Sequence, residues 1–291
     1  MSEIVELRGA RRVSREAFGR TLADLAADEP ANGVYLVART YRAGLVLDLD
    51  SHFDRVERSA AALGTEVSIP RTEIREVLEM LRRPVGDIRF RVTAVLDDPV
   101  WYRISCEPAQ ELPEEIRRDG VVCAIRRGEA RANATVKSTR WIHRRRDFNQ
   151  AGIYEYLLTN EAGEILEGGS SNFYAVIDGR LRTAGEGVLE GIARRRILDL
   201  APTILPVVRT PATIEDVQEG RIAECFISSA TRGIVPVREI RLDAGDGDAG
   251  DGDREMNSRN FGPSGPVTRG LIDAWERHLD TALEPLVPVR G

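Results

Sequence analysis

Residues 164 to 183 read EILEGGSSNFYAVIDGRLRT, and the Asp178-Gly179 pair near the end commits this stretch to antiparallel β-structure. A two-residue Asp-Gly loop accepts positive φ at both central positions, so the strands flanking it fold back on each other. A second hairpin is predicted where GVYLVARTY and LVLDL flank the turn at Arg42 to Gly44. Alternation of apolar and polar residues marks further strands in DIRFRVTAVL, DGVVCAIRRG, IYEYLLTN, AECFISSA and GIVPVREIRL. Helical spacing appears in VSREAFGRTLADLAA, with Phe18, Leu22 and Leu25 on one face and Ser14 as N-cap. DSHFDRVERSAAALG is read as a helix capped by Asp50 or Ser51, its core face at Phe53, Val56, Ala60 and Leu63. RTEIREVLEMLRR follows with Ile74, Leu78 and Leu81. A helix opens directly after Gly191, with Ile192, Ile197, Leu198 and Leu200 or Ala201 as its apolar positions, and others are expected at Ile214 to Glu219 and in TRGLIDAWERHLDTAL. Hairpins mixed with helices give an α/β (α+β) fold class.

The chain has 291 residues, enough for two ordinary domains. EPAQELPEEI, with two prolines among polar residues, reads as the boundary. The expectation is a domain over 1–106, a linker over 107–113 and a larger domain over 114–291. Between Asp243 and Pro266 the chain becomes DAGDGDAGDGD and a Gly, Pro and Ser-rich tail, read as a mobile acidic loop; it lacks the closing Glu of an EF-hand. No metal is expected. Cys106, Cys123 and Cys225 are three and scattered, against both a disulfide framework and a zinc site, so they are read as buried small residues. A formal charge of −6 disfavours nucleic-acid binding, and the runs Arg144 to Arg146 and Arg194 to Arg196 are read as solvated helix faces. No apolar run reaches the length of a membrane span and MSEIVELRGARR lacks a signal peptide's apolar core, so the expected location is the cytoplasm.

Lys137 is the only lysine among 41 basic side chains. Ammonium and guanidinium differ most where an amine must lose its proton and attack, because only lysine can form a Schiff base. Lys137 is placed between an extended segment and a helix running from Trp141 to Phe148. On the strand GVYLVARTY the two-residue period sets Tyr35, Val37 and Arg39 on one face, and on DIRFRVTAVL it sets Arg89 and Arg91 together. Paired arginines on a strand suit either an exposed sheet face or an anion site.

Lys137, the carboxylate of ILEGGSSN thirty residues on, the helix start LEGIA and the strand FISSATRGIVPV together resemble the fold-type IV pyridoxal-phosphate enzymes. That class holds branched-chain and D-amino-acid aminotransferases and aminodeoxychorismate lyase. GVYLVARTY followed by HFDR is most similar to the D-amino-acid aminotransferases. The resemblance, from about Gly33 to Val237, implies a small N-terminal α/β domain, a larger C-terminal domain with a β-barrel-like core, and pyridoxal 5′-phosphate bound between them. It makes Lys137 the lysine aldimine and proton shuttle, and Glu167 the partner of the pyridine nitrogen. It gives Tyr154 to the cofactor's ring oxygen, and Arg55, Gly191 and Ile192 to the phosphate. Without the Gly-Gly-Ser-Ser-Asn context Glu167 would read as a surface carboxylate, and Tyr154 reads equally as a half-buried strand aromatic. Ala193 and Ala230 stand where the family places threonines, and Ser229 and Thr231 flank the second. An Arg-x-His carboxylate trap is absent from LDDPVWYR. The expected substrate residues are therefore Tyr35, Arg39, Arg89 and Arg91. The implied activity is ping-pong transamination between D-amino acids and 2-oxo acids by a homodimer. The alternatives are L-branched-chain transamination, then aminodeoxychorismate lyase chemistry, then a non-catalytic relative that binds a phosphorylated ligand.

Overall fold

The computed structural model describes residues 3–9, 11–17, 21–145, 148, 150–242 and 258–288. In chain order the first strands and helices are β1 (Glu3–Arg8), β2 (Arg11–Glu16), β3 (Gly33–Tyr41), β4 (Leu45–Leu47), α1 (Leu49–Ala61), α2 (Arg71–Arg82), β5 (Ile88–Val95) and β6 (Trp101–Pro108). Next come α3 (Glu114–Asp119), β7 (Val121–Arg126), α4 (Thr139–Arg145), β8 (Glu155–Thr159), β9 (Glu164–Gly168), β10 (Asn172–Ile177), β11 (Arg180–Arg182) and α5 (Ile192–Leu200). The chain continues through β12 (Val207–Val208), β13 (Ala212–Thr213), α6 (Ile214–Gln218), β14 (Ile222–Ser229), β15 (Gly233–Arg241), β16 (Ser258–Asn260), α7 (Pro266–Ala282) and β17 (Leu283–Pro285). Two compact units result: Met1–Glu111 with Val136–Asp147 and His278–Gly291, and Leu112–Thr135 with Phe148–Arg277.

The first unit is built on a seven-stranded sheet in the order β17-β4-β3-β5-β6-β1-β2, antiparallel throughout. One face of its central strands carries Val34, Leu36, Ala38, Phe90, Val92 and Ala94, which join Phe53 and Val56 of α1 and Ile74 and Leu78 of α2 in the core. The other face carries Tyr35, Val37 and Arg39, directly opposite Thr93, Arg91 and Arg89 on β5. Residues paired across antiparallel strands point the same way. The strand period thus puts Arg39, Arg89, Arg91 and Tyr35 on one surface. α1 begins at Leu49, just after Asp48 in the left-handed conformation at φ 50°, so neither Asp50 nor Ser51 is its cap. Leu63 lies past its end and is exposed.

The helix expected over VSREAFGRTLADLAA does not form. Gly9, at φ 55°, turns the chain so that Arg11–Glu16 pairs with Glu3–Arg8, with Ser14 opposite Val5. The arginines of VSRE and its approach suit an exposed edge strand, where charge discourages pairing with another chain. Leu22, just before a short 3-10 turn at Asp24–Asp28, and Leu25 within it reach a cluster with Ile4 and Ala17. Phe18 lies outside the described residues.

In the second unit the strands run β12-β11-β10-β14-β15-β7-β8-β9-β13. Pairing of Asn172 with Glu167 joins β10 to β9, so β10, β14, β15, β7, β8 and β9 form a closed barrel. Closure leaves these six strands no free edge. The barrel core contains Cys123, Ile125, Leu157, Phe173, Ile227 and Val235. Asp178 at φ 50° and Gly179 at φ 68° make the β10–β11 turn, as the Asp-Gly signal requires. All three cysteines are buried and free; burial pushes the Cys106 thiol up to about 11 and is opposed by a backbone hydrogen bond from Glu3.

Two further expectations change. Within the stretch read as an acidic loop, Ser258–Asn260 forms β16 against Glu239–Arg241 of β15, while 243–257 lies outside the described residues. Arg194 is fully buried rather than solvated. Its guanidinium is met by Glu190, one turn earlier, and by the Ala184 carbonyl at 2.6 Å. Arg144 is exposed as expected, and Arg146 lies outside the described residues. No helix among the described residues is long and apolar enough to cross a membrane. No group of three or more His, Cys, Asp or Glu side chains among them is placed to hold a metal.

Candidate active site

In the first unit the site is organised by how the Lys137 segment is attached. Val136 is buried in the core of that unit. The Lys137 N–H donates to Ser59 Oγ at 3.3 Å, and its carbonyl accepts from the Tyr35 N–H at 3.0 Å. A β-bridge joins Ser138 to Val34. Thr139, the first residue of α4, donates its hydroxyl to the carbonyls of Ala31 and Gly33. The backbone of Lys137 is thus fixed on both sides. Its Nζ stands 5.0 Å from the centroid of the Tyr35 ring, a ring only 2% exposed. A cation over an aromatic face is attracted by the ring quadrupole, which sets the amine in one direction. Arg55, also buried, lies one helical turn before Ser59 on α1, so the two share a face.

Around Tyr35 the arginines are matched by acids. Arg91 donates to Glu29 at 2.8 Å and to the Leu22 carbonyl at 3.0 Å, with both side chains of the ion pair enclosed, at 3% and 0% exposure. Glu29 also accepts from the Thr93 hydroxyl, and its own carbonyl meets His143 Nε2 at 2.9 Å. Arg39 is buried against Glu111, the carbonyls of Gln110 and Thr40, and the ring of Tyr41. Arg89 pairs with Glu107 at 2.5 Å and keeps 37% of its side chain exposed. Each arginine of this face therefore has a carboxylate from its own unit. These acids escaped the sequence reading because Glu107 ends a strand and Glu29 and Glu111 lie in loops, with no periodic signal to mark them.

In the second unit Glu167 closes the barrel at the end of β9 and is 3% exposed. One oxygen accepts from Arg131 at 3.2 Å and the other from the Leu189 N–H at 3.0 Å. Arg131 was not anticipated; it belongs to no strand or helix and carries no motif. Beside Glu167, Ser171 Oγ is buried with no hydrogen-bond partner among the described residues. A Cβ on Gly168 would come within 2.3 Å of that oxygen, so the Gly-Gly-Ser-Ser turn needs its first glycine.

Gly191 precedes the first turn of α5 in extended conformation. A Cβ there would lie 2.4 Å from Asn172 Oδ1, and Asn172 in turn donates to the Leu189 carbonyl at 2.9 Å. The backbone at the start of α5 is therefore pinned and bare; the Gly191 N–H, expected as a phosphate donor, is instead given to the Leu189 carbonyl at 2.8 Å, so the donors a helix start presents to an anion begin at Ile192. Ser229 ends β14, and half-buried Ala230 and Thr231 follow in the turn to β15. Ser229 Oγ accepts from Arg232 Nε at 3.0 Å. The same guanidinium lies 5.5 Å from the Tyr154 ring centroid, and Tyr154 is 36% exposed.

A cofactor with a phosphate, a pyridine nitrogen and an aldehyde makes distinct demands. The phosphate needs several N–H and O–H donors, the nitrogen a buried carboxylate, and the aldehyde an amine. Within the second unit, the start of α5 and the hydroxyls of Ser229 and Thr231 are donors of the first kind, and enclosed Glu167 is a carboxylate of the second, with the unpartnered Ser171 hydroxyl beside it; within the first unit, Lys137 is an amine of the third kind. Unit by unit, Tyr35 and Lys137 are brought together in the first. In the second, Tyr154 and Ser229 are brought together through Arg232, while Glu167 and Gly191 are linked through Leu189.

The amino-transferase class IV family matches residues 33–240. A Methanocaldococcus jannaschii protein assigned as a branched-chain-amino-acid aminotransferase is 31% identical over 229 residues, covering 72% of this chain and 78% of its own. The D-alanine aminotransferase of Listeria monocytogenes is 27% identical over 285 residues, covering 88% and 90%. The branched-chain aminotransferase of the archaeon Thermoproteus uzoniensis, solved with norvaline, superposes with a TM-score of 0.73, over 98% of this chain and 99% of that one. At 21% identity, that last likeness is one of fold.

Proposed function

The chain belongs to the amino-transferase class IV family, and from that premise we propose that it is a D-amino-acid transaminase, exchanging amino groups between D-amino acids and 2-oxo acids. Its fold is the fold-type IV architecture and its cofactor is pyridoxal 5′-phosphate. When bound, that cofactor supplies an electron-accepting ring and the carbon through which the amino group is carried. The observation that carries the reading is the only lysine of the chain, anchored through both backbone groups with its amine over Tyr35.

In this reading Lys137 binds the cofactor covalently and, once released, moves the proton of the substrate α-carbon. Glu167 holds the proton on the ring nitrogen, oriented for it by Arg131 and the Leu189 N–H. Ile192 offers its N–H to the phosphate at the start of α5, while Gly191, whose own N–H is given to the Leu189 carbonyl, keeps the approach bare of a side chain; Arg55, Ser229 and Thr231 add donors. Tyr154 orients the ring oxygen. Tyr35 forms part of the substrate pocket, and among Arg39, Arg89 and Arg91 the carboxylate anchor falls to Arg89, whose pair with Glu107 leaves its guanidinium the most open of the three. Arg39 and Arg91 brace the same surface. The D-specific reading is supported by the Gly-Val-Tyr strand and His-x-Asp-Arg motif, and by the extent of the likeness to the Listeria D-alanine aminotransferase. It includes a homodimer working in the cytoplasm. A second reading, L-branched-chain transamination, is supported by the M. jannaschii relative.

A panel of D- and L-amino acids against 2-oxoglutarate and pyruvate tests the choice. Turnover confined to D-amino acids is expected; turnover confined to L-leucine, L-isoleucine and L-valine replaces this reading with the second. Lys137→Ala should abolish both turnover and the visible band that PLP gives the wild-type protein. A band that persists unchanged in that variant with no added amine removes the role given to Lys137.

A further inference from the structure

One guanidinium of the second unit does more than balance a charge. Arg232, in the turn from β14 to β15, meets Glu155 at 2.8 Å with only 20% of its side chain exposed, against 5% for Glu155. The nitrogen that meets Glu155 also donates to Ser170 Oγ at 3.0 Å. Its Nε donates to Ser229 Oγ at 3.0 Å, and its plane approaches the Tyr154 ring. Glu155 is locked in turn by the Ser170 N–H at 2.5 Å and the Ser170 hydroxyl at 2.9 Å. Three separate segments therefore converge on one side chain: the start of β8, the turn after β9 and the end of β14. Burial opposes the charge of Arg232, but Glu155 and Tyr154 more than offset it, so the group stands above its ordinary pKa and stays protonated.

The consequence lies in the hydrogen of Ser229. A serine hydroxyl has one hydrogen and two lone pairs. With an Nε–H directed at a lone pair of the Ser229 oxygen, that hydroxyl's own hydrogen cannot point at Arg232 and must be donated elsewhere. We propose that Arg232 is a positioning residue for phosphate binding: it aims the Ser229 hydroxyl outward as a donor and holds the end of β14 where that donor is needed. This rests on the reading of Ser229 as a phosphate contact. A lysine would neutralise Glu155 equally well, but its single ammonium cannot meet Glu155, Ser170 and Ser229 with the fixed fork of a guanidinium.

That difference supplies the test. Apoprotein of wild type, Arg232→Lys, Ser229→Ala and the double variant is titrated with PLP, and separately with pyridoxal, which lacks the phosphate. Binding is read by quenching of protein fluorescence. Arg232→Lys is expected to raise the Kd for PLP roughly tenfold, the scale of one lost hydrogen bond to a charged group, and to leave pyridoxal nearly unchanged. In the Ser229→Ala background the same change should add little, because the two residues act through one bond. A PLP affinity within about twofold of wild type, equal losses for PLP and pyridoxal, or fully additive effects would each overturn the proposal. If Ser229→Ala alone leaves PLP affinity intact, the assignment of Ser229 is wrong and the inference falls with it. If wild-type protein binds no PLP, the functional reading itself fails. Should Arg232→Lys not fold, Arg232→Gln takes its place in the same cycle, with PLP-selective and non-additive weakening expected and phosphate-independent or additive weakening overturning the proposal.

Discussion

Glu167→Gln is the substitution that would conventionally be chosen as silent for structure, and the geometry says it is not. The Glu167 carboxylate uses one oxygen for Arg131 and the other for the Leu189 N–H. An amide has one oxygen, so whichever partner keeps it, the other donor faces an NH₂ group. Arg131 and Glu167 are 7% and 3% exposed at 3.2 Å, which makes this a buried pair. Their gross attraction is about 5 kcal/mol at an effective dielectric of about 20, and removing one partner of such a pair costs about 3–5 kcal/mol. Because the amide oxygen still satisfies one donor, the lower end applies, about 3 kcal/mol, or a fall in Tm on the order of 5–10 °C. Activity should fall further than stability explains. A neutral amide cannot hold a proton on the ring nitrogen, and losing such a preorganised electrostatic partner costs about 10²–10³ in rate. The assay is the half-reaction followed in single turnover, well below the melting transition, with PLP saturation verified for each variant. Arg131→Met separates the effects: it should destabilise comparably while costing less of the rate than Glu167→Gln, because the carboxylate itself remains and keeps the Leu189 N–H. Glu167→Gln activity within about threefold of wild type, on the scale where tenfold is about 1.4 kcal/mol, would show that Glu167 does not face the ring. An unchanged Tm would show that the Arg131 pair carries no stability.

Gly191→Ala keeps an accessible backbone but sets a Cβ 2.4 Å from Asn172 Oδ1. The side chain must release the Leu189 carbonyl or the start of α5 must move, an overpacking cost of about 1–3 kcal/mol; PLP affinity should weaken while pyridoxal binding changes less, and equal weakening of the two would refute this. Asp216 closes a capping box with Thr213 at the start of α6 and pairs with Arg221. Burial raises its pKa, but the Thr213 N–H, Arg221 and the Thr213 hydroxyl outweigh that and hold it below the ordinary value. A depressed carboxylate stabilises the fold above its unfolded pKa, and the contribution disappears as pH falls through the folded value. Asp216→Asn should therefore cost about 1 kcal/mol near neutral pH, shrinking as pH drops below about 4, as read from urea midpoints; a pH-independent difference would be inconsistent with this. Arg89→Leu should raise KM for amino and 2-oxo acids far more than for a primary amine without a carboxylate. Equal increases for acid and amine would mean that Arg89 is a structural partner of Glu107.

The legibility of this chain follows from the range over which each signal acts. The hairpins at Arg42 to Gly44 and Asp178-Gly179 and the stripes of α1 and α2 are local, and the sequence carries them with little ambiguity. VSREAFGRTLADLAA fails for the complementary reason. Its helical spacing is real, but Arg11–Glu16 gains a full antiparallel ladder with Glu3–Arg8, and tertiary pairing overrides a weak local preference. Buried Arg194 fails similarly: nothing in ARRR distinguishes the arginine that meets Glu190 and the Ala184 carbonyl from its exposed neighbour Arg195.

The arginines on the β3–β5 face show where strand period ends and charge accounting must begin. Alternation correctly aligns Arg39, Arg89 and Arg91 with Tyr35. It cannot report that Glu111 and Glu29 arrive from loops, and Glu107 from a strand end, to pair with them. Three cations on one face suggest an anion site; three cations with three anions make a neutral surface, on which a substrate carboxylate, in the proposed reading, would have to compete for its partner. Arg91, enclosed with Glu29, gains nothing from exchanging a buried carboxylate for a diffusing one, because breaking that pair leaves Glu29 charged and buried. Arg89, partly solvated, loses little when its attention shifts from Glu107, whose second oxygen keeps the Leu22 N–H at 2.6 Å. In the proposed reading the same physical term, the cost of uncovering a buried charge, would make Arg91 a brace and Arg89 the more readily exchanged partner, a distinction invisible to a period that treats the two residues alike.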